Sequence, residues 1–126
     1  MELLTNNLIH NAVTEYEEVL EELNKPKKDL VMIASCHLVK KSIGDFLGAY
    51  LSEKGAENLV NYDILQMQKD CIKFNKEFEK LDLTSIALLC QPSNSLYTNE
   101  LDTDRLNRYV ATMKQTRDIV IRSLRM

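Results

Sequence analysis

Ile64-Leu-Gln-Met-Gln-Lys-Asp-Cys-Ile-Lys-Phe-Asn-Lys-Glu-Phe-Glu-Lys-Leu81 places Ile64, Met67, Cys71, Phe74, Phe78 and Leu81 in alternating steps of three and four. Side chains at that spacing lie on one side of an α-helix, so the segment from about 63 to 80 is expected to be a helix with a single packing seam. Seams of this kind are buried against other helices in bundles. The same periodicity extends in both directions. On the N-terminal side, residues 5–24 carry Leu8, Ile9, Ala12, Val13, Tyr16, Val19, Leu20 and Leu23 at helical intervals. Lys25-Pro26-Lys27-Lys28 interrupts that pattern and forms a connection.

Residues 29–54 form the next helix, with Gly55 as its C-terminal cap. Its apolar residues, including Leu30, Val31, Ile33, Leu38, Ile43, Phe46, Leu47 and Leu51, spread around most of the circumference. A helix apolar on several sides is a central one. Gly44 and Gly48 share a face and each lowers helix propensity by about 1 kcal/mol against Ala, so close helix approach is expected there. Beyond residue 81, a short helix spans about 85–90 with Thr84 as its N-cap. The polar run 91–102, with Pro92, Asn94 and Asn99, reads as a loop pinned by Leu96 and Tyr97. The last helix covers 103–124, with Leu106, Tyr109, Val110, Met113, Val120 and Leu124 on one face and Arg117 within it. The expectation is an all-α, up-down bundle of four to five helices forming one domain over residues 1–126. Its core should contain Phe46, Leu47, Tyr50, Phe74, Phe78, Tyr109 and Met113.

Composition agrees with that class. The chain has 126 residues, 44% of them hydrophobic, with three glycines and two prolines. This length buries enough surface to fold without disulfides or metal. Cys36, Cys71 and Cys90 are an odd, widely spaced set, expected as reduced thiols in a cytoplasm. No basic start precedes an apolar run at Met1-Glu2-Leu3-Leu4, so no secretory segment is expected, and no run is long enough to span a membrane.

Charge is uneven although the net value is only -3. Glu2, Glu15, Glu17, Glu18, Glu21 and Glu22 stand in residues 1–24 without a Lys or Arg. Arg105, Arg108, Lys114, Arg117, Arg122 and Arg125 stand in residues 105–126 against Asp118. The two helices could pair with each other, within one bundle or across a homodimer, or remain solvated. Alternatively the basic helix is a nucleic-acid surface.

Catalytic signals are sparse. There is no glycine-rich phosphate loop, no Cys-x-x-Cys and no Glu-x-x-His. His10 and His37 lack companions at metal spacing, so neither a metal nor a cofactor is expected. Cys36 and His37 are adjacent, and adjacent helical residues point about 100° apart, which does not make a nucleophile–base pair. The remaining constellation is Arg105, Asn107 and Arg108 at the start of the last helix. Two arginines three residues apart offer planar forks to phosphate; ion pairing with the first helix's glutamates is the competing reading.

Three segments resemble the HEPN domain family, over about residues 31–124. Asp45-Phe-Leu-Gly-Ala-Tyr-Leu-Ser-Glu-Lys-Gly55 is similar to the family's second-helix ending, Tyr62-Asp-Ile-Leu-Gln-Met67 to the start of its third helix, and Arg108-Tyr109-Val110 to the Arg-Tyr-Pro before its last helix. Gly44 and Gly48 replace the Glu and Lys common in members, Tyr62 replaces His, and Val110 replaces Pro. Catalytic members are metal-independent ribonucleases with an arginine followed four to six residues later by histidine. The last histidine here is His37, so neither Arg105 nor Arg108 completes that motif. The resemblance thus implies a helical bundle, often dimeric, acting as a non-catalytic module that binds a nucleotide or RNA or partners a nucleotidyltransferase-type protein. The alternative is a homodimeric helical adaptor without a nucleic-acid ligand; a ribonuclease toxin is the reading that the missing histidine opposes.

Overall fold

A computed structural model describes residues 3–24, 32–55, 63–88 and 103–124. Among them the chain is an all-α helical bundle without a strand: α1 (Leu3–Leu23), α2 (Met32–Glu53), α3 (Ile64–Ile72), a 3-10 helix (Lys76–Lys80), α4 (Thr84–Leu88) and α5 (Thr103–Leu124). The expected loop at 91–102, Cys90, Tyr62 and the Pro26 connection lie outside the described residues. No helix among the described residues is long and apolar enough to cross a membrane.

α2 is the central element, as its apolar circumference predicts. Cys36, Val39, Ile43, Phe46, Leu47, Tyr50 and Leu51 are all buried, and α1, α3, α4 and α5 pack around them. The helix ends where Gly55 takes a φ of 87°, a conformation that costs a side-chain-bearing residue more.

α1 lies antiparallel on α2, with polar side chains in the seam. Thr5 Oγ1 donates to Ser52 Oγ (3.0 Å) at one end, and Ser42 Oγ donates to the Ala12 carbonyl (2.9 Å) further along. On α3's side, Cys71 Sγ lies 3.9 Å from the Leu47 carbonyl. Lys40 Nζ reaches the Ala87 carbonyl of α4 at 3.0 Å.

The segment expected as one helix from 63 to 80 is broken. α3 stops at Ile72, the chain turns through Lys73 and Phe74, and Asn75 starts a 3-10 helix. Asn75 is the reason: its side-chain oxygen accepts from the Glu77 N–H (3.0 Å), and its amide nitrogen donates to Ser123 Oγ of α5 (3.1 Å). Asn competes with the helical backbone in this way. Gln68 Nε2 then ties α3 to the far end of the 3-10 helix through the Phe78 and Leu81 carbonyls (2.8 Å each). Because helical register is lost at the turn, Phe74 leaves the core and is 55% exposed, while Phe78 is fully buried against Tyr50, ring centroids 4.8 Å apart. Of the remaining expected core residues, Phe46, Leu47, Tyr50 and Met113 are buried and Tyr109 is half-buried against the core. α4 starts at Thr84, whose N–H is received by Asp82 Oδ1 (3.4 Å), so Thr84 is the first helical residue and not the cap.

Candidate functional site

α5 turns Leu106, Val110, Met113, Thr116, Ile119 and Val120 into the core. The opposite face carries Arg108, Ala111, Gln115, Asp118 and Arg122 in one exposed stripe at three- and four-residue steps. Thr116 stays inside the helix by donating its hydroxyl to the Thr112 carbonyl (2.9 Å). The three residues singled out at the helix start are not on one surface. Arg105 is half-buried at the margin of the core-facing stripe, whereas Asn107 and Arg108 are exposed. Arg105 and Arg108 are about 60° apart around the helix, but Arg105 and Asn107 are about 160° apart, so Asn107 does not join Arg105 on a common ligand.

Further along, the exposed stripe borders two open concavities. One, of about 370 Å³, lies between α5 and the 3-10 helix and is lined by Lys80, Lys114, Gln115 and Arg122, with Glu77 and Asp118 among its acids. A second, of about 590 Å³, is lined by Arg117, Asp118, Ile121 and Arg122. Arg122 is paired with Glu77. Arg117 contacts Asp118 Oδ1 at 2.8 Å and lies 5.0 Å from the Tyr16 ring centroid, which is how a cation is accommodated on a buried stripe. The hydrogen bond to Asp118 also holds its guanidinium more firmly protonated than usual. Lys80, Lys114 and Arg108 are exposed and make no ion pair among the described residues.

Glu15 of α1 is paired with Lys41 of α2, and Arg122 of α5 with Glu77 of the 3-10 helix. Glu17, Glu18 and Glu21 face solvent on α1.

The sequence reading missed one cluster. Glu15 is 8% exposed, with Oε2 at 2.5 Å from Lys41 Nζ, and Asp45 Oδ2 lies 3.2 Å from the same nitrogen. Burial, then the hydrogen-bonding contact with Asp45, push the Glu15 carboxyl up to about 7, against the opposing pull of Lys41. Lys41 is held above its ordinary range, chiefly by Glu15. The signal was present: Glu15 stands between Ala12 and Val19 on the apolar stripe, and Lys41 and Asp45 are four apart on α2.

Cys36 and Cys71 are buried and form no disulfide, and burial, then Asp70, push Cys71 up to about 12, far from a reactive thiolate. His10 and His37 are exposed on separate helices, and no group of three metal-ligating side chains occurs among the described residues. Comparison of the chain with protein-family models, with curated proteins and with solved structures finds no match in any of the three.

Proposed function

We propose that the chain is a non-catalytic, HEPN-like module that binds the phosphates of RNA or a nucleotide on the outer face of α5, alone or beside a nucleotidyltransferase-type partner. The observation that carries this reading is the pair of exposed cations Lys114 and Lys80 beside Arg122 along an open concavity of about 370 Å³, with Arg108 exposed one turn before Ala111 on the same stripe of α5. A shallow, solvated groove suits a backbone that is tracked through its phosphates, since such contacts need charge more than enclosure. Arg108 supplies a fork for bidentate contacts, Lys80 and Lys114 supply point charges, and Arg122, paired with Glu77, adds its charge at the groove's end. Arg105 is half-buried and Asn107 is exposed away from Arg105, so neither is assigned to this surface. The resemblance at residues 45–55, 62–67 and 108–110 supports the family part of the proposal, and the missing histidine downstream of Arg108 supports its non-catalytic part.

Titration of short single-stranded RNA tests it. The wild type is expected to bind with a log–log salt slope of about -0.7 per neutralised phosphate and to leave the RNA intact. Arg108→Ala/Lys114→Ala is expected to weaken binding at low salt and to flatten that slope by about 1.4. Cleaved RNA would remove the non-catalytic reading; equal affinity of both proteins would remove the α5 site.

A second reading, a homodimeric helical adaptor, is favoured by Phe74, a large aromatic side chain left 55% exposed at the α3 turn. Under it, sedimentation at micromolar concentration shows a dimer that Phe74→Ser dissociates, and RNA does not bind.

A further inference from the structure

We infer that Glu15 and Asp45 hold a single proton between them at the α1–α2 seam, and that this proton is a latch that fastens α1 to α2. The two carboxyl groups converge on one ammonium, Lys41 Nζ, at 2.5 Å and 3.2 Å. Fully ionised, the cluster holds two negative charges against one positive. Glu15 Oε1 is buried and has no hydrogen-bond donor, and its neighbouring side chain, Asp45, offers only lone pairs when ionised. A proton on Glu15 turns that contact into an O–H···O bond donated to Asp45 and leaves Lys41 to neutralise the remaining charge.

The groups around Glu15 do not substitute for that proton. From α2 it meets Lys41 and Asp45. On its own helix, Glu18 is exposed one turn away and Glu22 lies a further turn on. From α5, Arg117 reaches α1 at the Tyr16 ring next to Glu15 and is engaged with Asp118. The described hydrogen bonds elsewhere in the seam, Thr5 to Ser52 and Ser42 to the Ala12 carbonyl, are neutral.

The direction of the effect follows from linkage. Glu15 sits near 7 in the folded chain and at 4.5 ordinarily, so between those values the folded chain holds a proton that the unfolded chain has released. The stabilisation is complete below about 4.5, declines as pH rises, and is gone above about 7. Raising the pH from about 5 to about 8 therefore loosens α1.

Carboxyl ¹³C NMR of the wild type reads the proton directly. A Glu15 midpoint near 7 is expected; a Glu15 midpoint near its ordinary value of 4.5 overturns the proposal. Amide exchange reads the latch. Protection factors in α1, corrected for intrinsic exchange, should fall about tenfold between pH 6 and pH 8 while those of α3 hold. Glu15→Gln retains His10 and His37 and should abolish that fall; an unaltered fall in this variant overturns the latch. Should Glu15→Gln not fold, Asp45→Asn supplies an N–H donor to ionised Glu15 and should lower the Glu15 midpoint, burial alone then holding it above the ordinary range, and an unmoved midpoint overturns the shared proton.

Discussion

Phe74 and Phe78 are four residues apart and equivalent under helical spacing, yet one is 55% exposed and the other has no exposed surface. Phe78→Ala should cost about 3–5 kcal/mol, because a full ring is removed from a site closed by Tyr50. Phe74→Ala, which loses an edge contact to Tyr50 at 6.4 Å and little burial, should cost less than about 1 kcal/mol. Urea denaturation of both variants checks the pair; similar losses would mean that the helix runs on through residue 75. Glu15 shows the same limit of sequence reading from the other side. Its place on the apolar stripe was visible, but its meaning depends on Lys41 and Asp45, which only the α1–α2 packing brings to it.

At the scale of elements, periodicity located α1, α2 and α5 closely, because each holds one register from end to end. It overran at α3, where the local hydrogen bonds of Asn75 outweigh the continuing three–four pattern. The turn residue was legible as Asn; what was not legible is its bond to Ser123, which anchors the break to a distant helix. The glycines of α2 also differ from the close approach that their spacing implies. A methyl group built at Gly44 meets Ile64 Cγ2 at 3.6 Å, and one at Gly48 meets Leu8 Cδ1 at 3.6 Å, both ordinary van der Waals contacts. Neither glycine is required by space, so Gly44→Ala and Gly48→Ala should each stabilise the protein by about 0.5–1 kcal/mol through helix propensity. A loss of stability in chemical denaturation would show that the helices pack more tightly than these distances.

For the whole molecule, a net charge of -3 means that anion binding has to be local. The bundle separates its exposed charge, with Glu17, Glu18 and Glu21 on α1 and Arg108, Lys114 and Arg122 on α5. The segregation of charge along the chain was plain in the sequence. The partners of those charges were not, because a helical wheel gives the angle of a side chain around its own axis and says nothing of which helix lies opposite. Asn107 stands between Arg105 and Arg108 in sequence but lies about 160° from Arg105 around α5, and Lys80 joins the basic face from the 3-10 helix that follows the break at Asn75. Mapping ¹H–¹⁵N amide shifts during addition of a short single-stranded RNA tests the proposed interface most directly. The account predicts perturbations confined to Arg108, Lys114, Gln115 and Arg122 of α5 and to Lys80 beside them, fading as salt is raised. Perturbations centred on α1 or α2, or none at saturating RNA, would contradict it.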